Sequence, residues 1–79
     1  MPHYFLHIRD GDERLDDPEG GDFDNLAGAK DEALQGAREL ISECVRVGSP
    51  MRLHRVFEIA DPEGRIFATV PFADAIDRG

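Results

Sequence analysis

The stretch NLAGAKDEALQGARELISECVRVG, residues 25–48, decides the fold. Wound at about 100° per residue, Leu26, Ala29, Ala33, Ala37, Leu40 and Cys44 fall in one apolar stripe, flanked by Leu34 and Ile41. The opposite side carries Asp31, Glu32, Gln35, Arg38, Glu39, Ser42, Glu43 and Arg46. Asp24 or Asn25 can cap the free N–H groups at the start. Arg46 in the last turn, Gly48 as a left-handed terminal residue and Pro50 beyond it mark the end. The spacing therefore predicts one amphipathic helix over residues 25–47, about six turns long. Gly28 and Gly36 each weaken it by about 1 kcal/mol relative to Ala. Small residues dominate the first half of the stripe, which predicts a close approach to a sheet there. A helix cannot bury its stripe against itself, so the flanking segments must supply a surface.

They read as strands. Residues 3–9, HYFLHIR, are rich in aromatic and branched side chains, with Tyr4, Leu6 and Ile8 on one face and His3, Phe5, His7 and Arg9 on the other. Asp10-Gly11 is a two-residue type I′ hairpin signal. Closing the chain there sets Arg9 opposite Asp12, His7 opposite Arg14 and Leu6 opposite Leu15. The second strand, 13–16, is short, because Asp17-Pro18-Glu19-Gly20-Gly21 interrupts it. Phe23 then stands just before the helix cap, placed for a hydrophobic staple. Beyond the helix, Ser49-Pro50-Met51-Arg52 is a connector, and residues 54–60 and 65–71 form two further strands. Asp61-Pro62-Glu63-Gly64 turns between them. The same tetrapeptide occupies 17–20, with different flanks, so turn chemistry is used twice without an internal repeat. The tail Phe72–Ile76 either adds a helical turn or covers an edge. The expected fold is α+β, ββαββ, a four-stranded antiparallel sheet with one long amphipathic helix packed on one face. Residues 1–79 form a single domain, with the first strand internal and the second a short edge.

The register of the last hairpin governs what the sheet exposes. A type I turn with a Gly bulge sets Arg65 against Asp61 and places Phe57, Ile59, Phe67 and Thr69 on one face, with Val56, Ala60, Ile66, Ala68 and Val70 on the other. A slip of one residue moves Ile66, Ala68 and Val70 to the side of Phe57 and Ile59. In both registers each face holds substantial apolar content, and one helix covers only one of them. The uncovered side is the expected interface, with Phe5, His7, Val56, Phe67 and Thr69 as its candidate residues. A symmetric homodimer through that face, or through a strand edge, is the simplest closure.

Seventy-nine residues, 41% apolar and 33% charged, make a small soluble domain near the lower limit for a self-sufficient core. No apolar run approaches the roughly 20 residues of a membrane span. The opening Met1-Pro2-His3-Tyr4 has no charged segment leading into an apolar one, so no signal peptide is expected and the expected location is cytoplasmic. The single cysteine precludes an internal disulfide. The net charge of −8 is unevenly placed. Eight acids and one base lie between residues 10 and 24, which accounts for −7 and leaves −1 elsewhere. Asp10, Asp12, Glu13, Asp16 and Asp17 form a candidate acidic patch; Arg46, Arg52, His54 and Arg55 form the only basic cluster. This balance repels phosphate backbones and counts against direct non-specific nucleic-acid binding.

Catalytic and metal signatures are absent from the sequence. Counted from Asp10, a calcium loop would need ligands where Arg14 and Gly21 stand. His3 and His7, four apart on a strand, are about 13 Å from each other and have no cysteine nearby, so no zinc site is expected. Cys44 sits mid-stripe as a buried thiol. Ser42 and Ser49 lack the context of a nucleophile, and Asp22 and Asp24 would repel a phosphate from the helix start. No cofactor is expected, and the chain does not read as an enzyme.

The segments MPHYF with HIRDG, AKDEA continuing to AREL, and FEIAD through GR to ATVPF together resemble small uncharacterised proteins of rhizobia and related alphaproteobacteria, along nearly the whole chain. That resemblance implies a bacterial protein and carries no site residues. At the level of fold alone, the order hairpin, acidic Gly-containing turn, Ala- and Glu-rich helix is similar to HicB-like antitoxin domains. The expectation is a non-enzymatic interaction module, self-associating through the uncovered sheet face. The alternative is an antitoxin-like or adaptor protein that binds a basic partner or acts within a nucleic-acid-regulating complex.

Overall fold

The computed structural model describes residues 2–50 and 52–77; Met51, within the expected connector, lies outside the described residues. The helix α1 spans Leu26–Val47. Asn25 caps it, its side-chain oxygen accepting from the Gly28 N–H at 2.9 Å. At the other end the Ser49 N–H donates to the Cys44 carbonyl and the Gly48 N–H to that of Val45, the paired bonds of a Schellman motif, with Gly48 in the left-handed conformation.

Strands β1 (His3–Asp10), β2 (Glu13–Leu15), β3 (Gly21–Asp22), β4 (Val56–Ala60) and β5 (Ile66–Pro71) form one antiparallel sheet. The order is β2-β1-β4-β5, with β3 pairing the start of β1 beside β2. The first strand is internal and the second a short edge, as expected. Two elements extend the expected ββαββ pattern. The two-residue β3 pairs His3 with Asp22 and Tyr4 with Gly21, making a fifth strand. The tail forms a short helix, α2 (Phe72–Asp77). The strand expected from residue 54 starts at Val56, because the Arg55 N–H closes a turn on the Arg52 carbonyl.

The first hairpin also differs in register. Asp10 pairs with Glu13, Arg9 with Arg14 and Ile8 with Leu15, so the loop residues are Gly11 and Asp12. Gly11 alone has positive φ there, at 63°, the sign pattern of a type II′ turn. A type I′ turn at Asp10-Gly11 would require positive φ at Asp10 as well. Asp10 instead stays extended and accepts bonds from residues 42 to 45 positions away.

The core lies between α1 and the side of the sheet bearing Tyr4, Leu6, Ile8, Phe57, Ile59, Ala68 and Val70. Ala29, Ala33 and Ala37 have no exposed surface. Their small side chains, and the missing Cβ of Gly36 beside the Phe57 ring, let helix and sheet approach closely. Phe57 in turn stacks on Phe72 of α2, with centroids 5.1 Å apart. Leu40, expected in the stripe, is exposed, and Cys44 is half-buried. The 22 helical residues span about 33 Å, whereas the five residues of β4 span about 17 Å. The helix therefore outruns the sheet, and Val45 and Val47 are exposed beyond it.

Candidate functional site

The shortest dimension of the molecule is 18 Å, a sheet plus one helical layer. The side of the sheet facing away from α1 is left uncovered. Alternation from the core-facing residues puts His3, Phe5, His7 and Arg9 of β1, Arg14 of β2, Val56, Glu58 and Ala60 of β4, and Thr69 and Pro71 of β5 on it. Its centre is charged. Glu58, only 8% exposed, receives the Arg9 Nε at 3.1 Å and the Arg9 terminal nitrogen at 3.4 Å. Arg14 stands 3.7 Å from the same carboxylate and bonds Asp16 at 2.7 Å. Asp16 lies 3.8 Å from the His7 ring. The expected apolar patch is thus divided by a network that neutralises itself, because β4 brings a carboxylate between two arginines of the first hairpin.

The segment after β2 clasps β1. One oxygen of Asp17 accepts from the Leu6 N–H at 3.1 Å, the other from the N–H groups of Glu19 and Gly20. Burial opposes the charge of Asp17, but these three backbone donors outweigh it and hold its carboxyl below the ordinary aspartate range. The Asp17 N–H donates to His7 Nδ1 at 3.0 Å, which fixes the unprotonated nitrogen of that ring. His3 bonds Asp22 through Nδ1 at 2.8 Å and the Glu19 carbonyl through Nε2 at 2.9 Å. Both partners are acceptors, so the ring is satisfied as an imidazolium. The Asp22 bond first, then the Glu19 carbonyl, raise its pKa above 6.5. Asp61 repeats the chemistry of Asp17 at the second Asp-Pro-Glu-Gly turn, accepting from the N–H groups of Glu63 and Arg65. The Arg65 backbone bond is the main cause of its lowered pKa.

The acidic and basic patches expected from the sequence are partly one feature. Asp10 accepts from His54, from Arg55 at 3.0 Å and from Arg52 at 3.4 Å. The His54 bond, followed by Arg55, holds its carboxyl below the ordinary range. Three of the four residues in the basic cluster are therefore spent on one carboxylate of the acidic patch, and Arg46 pairs with Glu43 on α1. Asp16 and Asp17 are engaged as described. Asp12 and Glu13 remain exposed, without an ion pair among the described residues.

Of the candidate interface residues, Phe5 and His7 are half-buried and stacked on each other at 6.0 Å, Val56 is half-buried beside Arg9, and Thr69 is exposed on β5. Phe67 departs from the expected placement. The register between β4 and β5 shifts between Ile59 and Ala60, pairing Ile59 with Ala68 and Ala60 with Ile66. The Arg65–Asp61 closure holds, but the bulge turns Ala68 and Val70 toward α1 and sets Phe67 edge-on to Tyr4 at 6.1 Å. Phe67 is 52% and Ile66 46% exposed. Both lie on β5, an outer edge of the sheet.

That edge has no charged guard. Its sequence, IFATVP, carries no charge, although edge strands ordinarily carry one. The Phe72 N–H donates to the Arg55 carbonyl, so alternation points the backbone of Val70 toward β4 and that of Thr69 and Pro71 outward. Pro71, having no N–H, is where an edge strand tolerates it. A groove of about 300 Å³ runs beside this edge, lined by Ala27, Lys30, Asp31, Leu34, Thr69, Val70 and Asp74.

A family model described as a domain of unknown function (DUF6894) matches residues 3–73. The chain belongs to this family. The match takes in all five strands and α1. No curated protein and no solved structure matches the chain. Among the described residues no group of three or more His, Cys, Asp or Glu side chains is placed to hold a metal ion, and no helix is long and apolar enough to cross a membrane. Glu58 is the residue that sequence reasoning missed. Its signal was there: one acid inside the apolar strand VFEIA demands a cation from a neighbouring strand.

Proposed function

We propose that this domain is a non-enzymatic interaction module that self-associates through its sheet, at the open β5 edge. The observation that carries the reading is the free edge of β5, six residues without charge and with Ile66 and Phe67 about half exposed. A strand of that kind pairs with another chain unless something guards it. The charged centre of the uncovered face, satisfied within one chain, shifts the contact surface from the face to this edge. Gel filtration with light scattering between about 10 µM and 1 mM tests the reading, a span over which a dimer of micromolar to millimolar affinity dissociates. A mass of two chains, falling on dilution, is expected; a single-chain mass throughout overturns it.

A second reading, an adaptor for a basic partner, is favoured by the exposed acids Asp12, Glu13 and Asp24 on the side of the sheet opposite β5. Titration with an oligolysine peptide checks it: binding at low salt that is lost on charge reversal of Asp12 and Glu13 supports the adaptor, and no binding removes it.

A further inference from the structure

We infer that β5 pairs with β5 of a second copy, antiparallel and centred on Thr69, to give a sheet continuous across two chains. The inference rests on the self-association reading above and names its geometry. Three observations select the second copy as occupant. First, the outward backbone groups of β5 suit a two-fold axis. With Thr69 opposite Thr69, each N–H meets the carbonyl of the other copy, and Phe67 of each copy stands opposite Pro71 of the other. Pro71 accepts but cannot donate, so it ends the ladder on both sides and disfavours longer registers. Second, the ends are complementary. Arg65, whose side chain is 70% exposed, immediately precedes β5, and Asp74 follows its end, so antiparallel pairing brings the Arg65 end of each β5 beside the Asp74 end of the other. Asp74 is exposed at the first turn of α2 and lines the groove beside the strand. The two-fold makes this ion pair twice. Third, the charge that would keep two such acidic chains apart is elsewhere. The acids of residues 10–24 border β2 and β3, on the opposite side of the sheet from β5. Three strand spacings of about 4.8 Å separate the two edges, which exceeds the screening length of about 8 Å at physiological salt.

The test uses two charge reversals of the full chain, R65E and D74R. Each variant alone sets like charges against each other across the axis, two carboxylates in R65E and two guanidinium groups in D74R. Self-association of either should weaken at least tenfold in sedimentation equilibrium. Mixed in equal amounts, the two variants still repel at both ends wherever like copies meet, carboxylate against carboxylate or guanidinium against guanidinium; a mixed dimer instead sets the carboxylates of one chain against the guanidinium groups of its partner at both ends. The mixture should therefore regain dimer that neither variant makes alone. T69P, which removes the outward N–H at the centre, should abolish pairing in either background. Both charge positions are exposed, and far-UV circular dichroism with thermal melting confirms that each variant is folded. Arg65 also pairs with Asp61 within its own turn, so D74R, which leaves that turn intact, is the control for damage to the hairpin. A wild-type chain that is monomeric overturns the inference together with the reading it rests on. A wild-type dimer that none of the variants weakens, or single variants that weaken without recovery on mixing, overturns the pairing through β5 and leaves self-association standing.

Discussion

Gly20 should be the least replaceable glycine in the chain, and the structure supplies both the reason and the control. Its φ is +66°, and a Cβ built there would stand 2.7 Å from the Tyr4 carbonyl oxygen, 2.7 Å from His3 Nε2 and 2.9 Å from the Phe5 ring. Gly48 has φ of +76° with nothing within 4 Å of its would-be Cβ. Replacing Gly48 by Ala therefore adds only the left-handed backbone cost, about 1 kcal/mol. In Gly20→Ala the same cost is joined by a clash with backbone that cannot swing aside. The 17–20 turn must lift from β1, and the bonds from the Glu19 and Gly20 N–H groups to Asp17 weaken with it, at about 1 kcal/mol each. The expected total is about 3 kcal/mol. For a domain of this size 1 kcal/mol shifts Tm by about 4–8 °C. Gly48→Ala should thus lower Tm by about 5 °C and Gly20→Ala by about 15 °C, read by circular dichroism at 222 nm and checked by urea unfolding. Equal losses from the two variants would refute the close approach of the turn to β1.

Three further outcomes follow from the same geometry. His3 gains its partners as a cation, so its folded pKa lies above 6.5 and its stabilisation is complete below that value and lost as pH rises through the folded pKa. The Tm difference between wild type and His3→Gln should be larger at pH 5.5 than at pH 8.5; an equal difference at both would show that the ring does not titrate in this contact. Glu58→Gln takes the carboxylate from Arg9 and leaves Arg14 only Asp16, and should cost about 2 kcal/mol, discounted from the fully buried case because both arginines reach solvent; urea midpoints measure it, and a neutral effect would mean the network contributes nothing. Gly36→Ala should stabilise by up to about 1 kcal/mol, since helix propensity improves and the new Cβ meets the Phe57 ring at an ordinary 3.4 Å; a lower urea midpoint would show that helix and sheet are packed too closely to admit it.

The elements whose causes are local were legible in the sequence. The Ala29–Ala33–Ala37 stripe, the Asn25 cap, the Gly48 terminus and the two Asp-Pro-Glu-Gly turns depend on residues within four or five positions of each other, and each stands where its pattern put it. Register was not legible, because its causes are distant. Whether Asp10 turns or stays in the strand is decided by Arg52, His54 and Arg55, which converge on it only after α1 has brought the second hairpin back to β1. The same applies to the uncovered face. Alternation says that Arg9, Arg14 and Glu58 point away from the helix, but not that they meet and cancel, and so a patch that reads as half apolar becomes a closed network.

Pro71 shows where the sequence carried more than the periodicity did. A proline inside a strand restricts that strand to an edge, or to a position whose missing N–H faces away from the ladder, and Pro71 meets both conditions. That single residue marks β5 as an edge, and the absence of charge from Ile66 to Pro71 leaves that edge without a charged guard. Hydrophobic alternation asks which face a residue serves. Edge chemistry asks which backbone groups lack a partner, and in this chain the two questions lead to different surfaces. The face closes upon itself through Glu58, while alternation points the Thr69 N–H and carbonyl away from β4. The association proposed for β5 would therefore depend on backbone groups of fixed direction and spacing, a stricter requirement on a partner than an apolar patch would impose.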